Sequence, residues 1–216
     1  MRGLVSAGLI ALTLSACTTT TYQSHETKMP DTTLASRDVF FDVADRIYRD
    51  PPDCVTILSA PTGTPLDLAK IAEWAAARHL REKVQRVIGP RSRHKAEQNL
   101  ALDLSDRQDQ KRFAKIENCR FFLTIHEAIS DDVYALVWSE RSLTLALTIQ
   151  RARDGAVVWR ATHSASRSDG GLPLSPFSLG GAAIRAGMLH GDQEALPSLL
   201  DDAMRRMFVT LPDMRW

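Results

Sequence analysis

Six histidines, three cysteines and a serine–lysine pair one helical turn apart are the residues of this chain with types and spacings that could do chemistry. Ser92 and Lys95 share the Ser-x-x-Lys spacing in which an amine activates a hydroxyl nucleophile. The Ser-Asp-Asn and Lys-Thr-Gly elements that complete such a site are missing from the sequence, so a hydrolase ranks last among the function classes. His25, His79, His94, His126, His163 and His190 make no His-x-x-x-His spacing, and no Cys-x-x-Cys pair occurs, so no metal site is expected. His163 alternates in step with Val157, Trp159 and Ala161 and reads as a satisfied, inward histidine. Asp131-Asp132 reads as a hairpin turn and Asp201-Asp202 as a solvated helix face. With no Walker loop, Gly-x-Ser-x-Gly elbow or Gly-x-Gly-x-x-Gly, neither a catalytic residue nor a cofactor is assigned.

The remaining chemistry belongs to the cysteines. Arg2, the short apolar run Leu4 to Leu14 and the small residues Ser15 and Ala16 form a signal peptide too short to span a membrane. Leu14-Ser15-Ala16-Cys17 closely resembles the lipobox of bacterial lipoproteins. That resemblance implies signal cleavage after residue 16, diacylation of Cys17 and palmitate on the new N-terminus. Two or more acyl chains form a stable anchor where one would be marginal. Thr18 to Thr21 are neutral, as in lipoproteins sorted to the outer membrane, so the expected address is that membrane, facing the periplasm. Residues 17–36 are rich in Thr and Ser and read as a flexible tether, and residues 37–216 as one periplasmic domain.

Cys54 and Cys119 are then left to pair in an oxidising compartment. Each stands at the entry to a β-like run, Val55-Thr56-Ile57-Leu58 and Phe121-Phe122-Leu123. If those strands are parallel neighbours, the two thiols start side by side and can be bridged. With 27 basic against 26 acidic residues, the chain has no overall field to draw in nucleic acid, which is not an expected partner.

The elements that must position these residues follow from periodicity. A helix is expected over Arg37 to Arg49, capped by Ser36 and stopped by Pro51-Pro52. A strand over Val55 to Ser59 leads to a helix that Thr64 caps and that ends near Arg81, with Leu68, Ile71, Ala72, Ala75 and Ala76 inward. A strand at Val84 to Ile88 is followed by helices over Ser92 to Leu102 and Ser105 to Glu117, the latter with Phe113 and Ile116 on one face. Strand-like runs follow at Phe121 to Ile125, Val133 to Trp138, Leu143 to Ile149 and from Ala156, the last two joined by an Asp154-Gly155 turn. A long loop over Arg167 to Gly181 and a helix over Gln193 to Val209 close the chain.

The fold class is therefore α/β: a single domain with a mixed sheet covered by helices, in the order β-α-β-α-α-β-β-β-β-α. That order resembles the lipoprotein superfamily of the curli-secretion channel CsgG and the penicillin-binding-protein activator LpoB. The likeness lies in the second strand running into Arg91 to Gln98 with Glu97-Gln98, in Asn118-Cys119, and in Leu143 to Trp159 with its Asp154-Gly155 turn, within residues 54–160. It implies a non-catalytic accessory or assembly factor for another envelope protein, from a group that includes ring-forming oligomers. Membrane-crossing barrel hairpins are not expected, because the turns at Ser130 to Asp132 and Ser139 to Ser142 are too short to hold them. The loop places Leu172, Leu174, Phe177 and Leu179 in an irregular segment, where apolar residues either fold back as a lid or meet a partner. A second reading is a small-molecule or envelope-polymer binding module with a cleft near Trp138, Trp159 and that loop.

Overall fold

A computed structural model describes residues 23–24, 39–135, 138–170 and 195–215. The strands are β1 (Gln23–Ser24), β2 (Phe40–Val43), β3 (Cys54–Ile57), β4 (Arg86–Ile88), β5 (Phe121–Ala135), β6 (Trp138–Arg151) and β7 (Val157–Gly170). The helices are α1 (Arg46–Arg49), α2 (Leu66–Leu80), α3 (Pro90–Leu100), α4 (Arg107–Ile116) and, as α5, Ala195–Val209. The strands form one mixed sheet in the order β1-β2-β7-β6-β5-β3-β4. The β3–β4 and β3–β5 pairs are parallel, and the β5–β6–β7 meander is antiparallel.

Burial follows the pleat. Leu143, Leu145, Leu147 and Ile149 are buried on β6 while the residues between them are partly exposed, which gives the sheet one dry face there. α2 and α5 cover that face: Leu68, Ala72, Ala75 and Ala76 of α2 and Leu200, Ala203, Met204, Met207 and Phe208 of α5 join it in one core. Small residues on α2 let its backbone lie close to the sheet. β3 is buried at every residue, and Phe121, Phe122 and Leu123 are buried alike. These strands are sandwiched because α4 covers the opposite face through a second cluster containing Cys54, Ile88, Leu104, Phe113, Cys119, Phe122 and Ala152. Trp159 is fully buried against Phe208, ring centroids 5.5 Å apart, and its indole N–H donates to Thr210 Oγ1 at 3.0 Å.

Several expectations need correction. Residues 40–43 form a strand between β1 and β7, antiparallel to Trp159–Thr162, and only Arg46–Arg49 is helical. The aromatic and β-branched side chains of Val39-Phe40-Phe41 suit a pleated strand better than a helix. α2 has Pro65 at its N-cap with no side-chain cap, so Thr64 does not cap it. α4 starts at Arg107 and not at Ser105, because the Asp106 side chain caps it by accepting from the backbone N–H groups of Gln108 and Asp109. Ile116 is exposed. The meander has three strands after α4, not four, because residues 121–135 form one strand with a bulge between Ile125 and Glu127. Asp131 pairs with Ser142 and Asp132 with Arg141 inside the ladder, so neither stretch read as a short turn is one. The ladder continues as far as the Ala135–Trp138 pair. β7 runs to Gly170, so residues 167–170 belong to a strand and not to the loop.

Candidate functional site

The cysteine pairing is present: Cys54 and Cys119 are bonded, their Cα atoms 5.0 Å apart. The bond joins the first residue of β3 to the entry of β5, as the parallel register Val55↔Phe121 requires. Thr56 Oγ1 donates to Cys119 Sγ at 3.3 Å, and the whole arrangement is buried, so it is a staple and not a reactive centre. Cys17 and the apolar loop residues Leu172, Leu174, Phe177 and Leu179 lie outside the described residues. Ser92 and Lys95 are both exposed on α3. Of the cleft expected near Trp138, Trp159 and the 167–181 loop, Trp159 is buried in the core, while the Trp138 side chain and residues 171–181 lie outside what the structure describes.

Two other places in the fold are built for contact. The first is a cavity of about 460 Å³ lined by Lys111, Ala114 and Lys115 of α4, Asn118 and Arg120 before β5, and Arg151, Ala152 and Arg153 after β6. These segments converge because β5 starts where β6 ends, Phe121 pairing with Arg151, and the Ala152 N–H donates to Arg120 O at 2.8 Å. The Asp154-Gly155 turn closes the same end as expected, with Gly155 at φ +72, a left-handed conformation that glycine adopts without strain.

Charge is dense around this cavity. Arg151 Nη1 lies 2.7 Å from Asp50, and its Nε and Nη2 fork onto Asp154 at 3.1 and 2.7 Å. Arg120 reaches Asp50 at 3.0 Å and Asp53 at 3.9 Å. Hydrogen bonds from Arg151, with the backbone N–H of Ala156, hold the Asp154 carboxyl far below the usual range. Partial burial pushes the Asp50 carboxyl up, but its hydrogen bond to Arg151 and the charges of Arg120 and Arg151 outweigh that and hold it below its ordinary value. Hydrogen bonds to Asp154 and then Asp50 push the Arg151 guanidinium still higher. A general acid or base needs a pKa near working pH, and these shifts all move away from it. The network supplies fixed charge and not proton transfer.

The second place is the far half of the meander. β5, β6 and β7 are 15, 14 and 14 residues long, which at ~3.3 Å per residue is about 46–50 Å. α2 and α5, at 15 residues each, span only about 22 Å. Among the described side chains of β5 the last buried one is Ala128, and Ile129 is 53% exposed, while on β6 burial reaches Leu143, opposite Ser130. Five further paired rows, Asp131 to Ala135, carry the ladder about 16 Å past that buried row. Along it the outer edges are open among the described residues: β3 pairs with β5 only over Phe121–Leu123, and β2 with β7 only over Trp159–Thr162. The register aligns Asp132, Arg141 and Arg167 in one row and Asp131, Ser142 and Ser166 in the next.

Solved structures similar to this chain include a PelC dodecamer from Paraburkholderia phytofirmans, 20% identical with a TM-score of 0.43 over 78% of this chain and 95% of that one. Lipoprotein GNA1162 from Neisseria meningitidis is 13% identical with a TM-score of 0.41 over 62% and 94% of the two chains. A minor lipoprotein from Acinetobacter baumannii is 13% identical with a TM-score of 0.38 over 76% and 97%. No family model and no curated relative matches the chain.

The remaining polar clusters hold elements together. His79 Nε2 is 2.6 Å from Asp201, which Arg78 also contacts, so α2 and α5 are clasped by charge as well as by their apolar faces. Asp201 is therefore a helix–helix contact and not simply a solvated face. Asp202 pairs with Arg206 at 2.7 Å and with Arg205. His163 is buried, as its strand position predicts, and His94 lies 3.0 Å from Gln98 along α3. Among the described residues no group of three or more His, Cys, Asp or Glu side chains is arranged to hold a metal ion, and no helix is long and apolar enough to cross a membrane.

Proposed function

We infer that this chain is a lipid-anchored envelope protein, tethered through Cys17 at the outer membrane on the periplasmic side, that serves another envelope protein as a non-catalytic accessory or assembly factor. The observation that carries this reading is the projecting half of the β5–β6–β7 meander. A paired ladder with open edges is a ready template for another chain, because each free backbone N–H and C=O can extend the sheet. The β5 edge is guarded by its bulge and by the exposed Asp131, whereas the β7 edge past Thr162 presents the short side chains of Ser164, Ala165 and Ser166. β7 is therefore the preferred docking edge, and the apolar residues Leu172, Leu174, Phe177 and Leu179 follow it in the sequence. The partner is a second envelope protein; a further copy of this chain would use the same edge.

The test is co-purification of the acylated full chain from native membranes. A stoichiometric envelope protein is expected with the natural chain and should be lost with Ser164→Lys/Ser166→Lys, because edge lysines oppose strand addition. Turnover of a cell-wall or ester substrate by the purified chain would overturn the non-catalytic reading. Recovery of the same partner by the edge variant would overturn the docking edge.

A further inference from the structure

The cavity at the α4 end of the sheet lies at the opposite end of the meander from the proposed docking half, and its chemistry is different. Five cations line it: Lys111, Lys115, Arg120, Arg151 and Arg153. Three carboxylates, Asp50, Asp53 and Asp154, pair with the arginines, and Arg151 is fully engaged by Asp50 and Asp154. Five positive against three negative groups leave a local surplus of two, within a chain whose net formal charge is only +1. The surplus resides on the two lysines. They stand one helical turn apart on the same face of α4, and among the described residues no carboxylate pairs with either.

The surroundings favour an anion at this spot. A helix C-terminus repels negative charge through its free carbonyls, but here Arg86 donates to the carbonyls of Glu117 and Asn118, just past α4, and so meets that end with a cation. Arg120 is held by Asp50 and lies over the Phe121 ring at 5.8 Å, with Asp53 3.9 Å away, so its guanidinium is positioned in advance and can turn one edge to a ligand with little reorganisation. The small side chains of Ala114 and Ala152 leave the floor open. A volume of about 460 Å³ falls in the range of small-molecule sites and suits one or two sugar-sized units, the rest of a longer oligomer staying outside in solvent; it is too small for a folded partner.

We propose that this cavity binds a compact anion, a carboxylate- or phosphate-bearing group on a small polar scaffold, with Lys111, Lys115 and Arg120 taking its charge and Arg151 fixing the frame. The ligand is a free small molecule or the charged unit of an envelope polymer. The site is independent of the β7 edge, so either can fail without the other.

The experiment is calorimetric titration of the acylated full chain in phosphatidylcholine nanodiscs with trigalacturonate, with inorganic pyrophosphate and, as a neutral control, with maltotriose. Saturable binding of an anionic probe is expected, at least tenfold weaker in Lys111→Ala/Lys115→Ala and unchanged in Lys70→Ala, an exposed lysine outside the cavity. Binding should also weaken between 50 and 500 mM salt, as ionic contacts are screened. Trigalacturonate alone would identify a uronate-type source, pyrophosphate alone a phosphate source, and both a site that reads charge only; each supports the site. Circular dichroism of the double variant keeps the comparison clean, since Lys115 is exposed and Lys111 only half-buried, and neither belongs to the core. Absence of saturable binding by both anions, equal binding of maltotriose, an undiminished affinity in the lysine variant or an equal loss in Lys70→Ala would overturn it.

Discussion

Removing the Cys54–Cys119 bond should weaken the domain by about 4 kcal/mol. The bond spans 65 positions of sequence. In the chain-entropy model a loop of that length costs the denatured chain roughly 14–15 cal/mol/K, which is about 4.3 kcal/mol at 25 °C. Two contacts add to this: the Thr56 hydroxyl on Cys119 Sγ and the Arg86 Nε–H on Cys54 Sγ at 3.2 Å both lose their acceptor in an alanine variant. The folded state should barely rearrange, because both half-cystines are buried between β3, β5 and α4 and an alanine leaves only a sulfur-sized gap. The clean perturbation is therefore Cys54→Ala/Cys119→Ala, since either single variant would leave a thiol free to mispair. Urea unfolding of the full chain at neutral pH, with and without the substitutions, measures the difference. At about 2–4 °C per kcal/mol for a domain of this size, the melting temperature should fall by roughly 8–16 °C. A loss below about 1 kcal/mol would refute the argument, and would mean that the denatured chain already holds β3 and β5 together.

Three further outcomes follow. Glu73 and Arg93 are a buried pair 3.0 Å apart, Arg93 also donating to Ile57 O at 3.0 Å and Glu73 accepting from the Ala60 N–H. Glu73→Ala should cost about 3–5 kcal/mol in urea unfolding because it strands a buried guanidinium; Glu97→Ala, whose carboxylate is 3.6 Å from Arg93, should cost less than half of that. Thr210→Val leaves the Trp159 indole N–H without its acceptor in the core and should cost about 1–3 kcal/mol, read in the same assay alongside a shift in tryptophan emission. Asp50, Asp154, Asp201 and Asp202 are all held below their ordinary values, and Asp213 is lowered to about 2. A depressed carboxyl stabilises fully above its unfolded value near pH 4 and loses that contribution as pH falls through the folded value. Stability should therefore decline from about pH 4 downwards, and Asp154→Asn should flatten that decline; an unchanged acid slope would contradict the Arg151 network.

Where local pattern and tertiary packing agree, the fold is readable in the chain. Leu143 to Ile149 alternates because one face of β6 is dry, Asp154-Gly155 turns because glycine tolerates positive φ, and the cysteines pair because two parallel strands begin beside them. Errors arise where a distant partner decides. Four residues at 40–43 become a strand only because β7, far along the sequence, offers an edge. Ser130-Asp131-Asp132 carries turn chemistry, yet β5 and β6 pair straight through it and on to Ala135 and Trp138, so the long-range ladder and not the local sequence decides its conformation. The cationic cavity was hidden for a related reason. Its lysines and arginines are scattered over 111–153 and meet only through the Phe121↔Arg151 register, although Lys111 and Lys115 at helical spacing and Arg151 and Arg153 beside a turn were signals of a charged end.

The docking role is tested most directly by placing a photo-crosslinking amino acid at Ser166 of β7 in the acylated full chain and irradiating intact cells. One defined adduct with an envelope protein, or with a second copy of this chain, is expected, and none from the same probe at Lys70 on α2. A probe at Ser166 that yields no adduct, or the same diffuse set as Lys70, would contradict it.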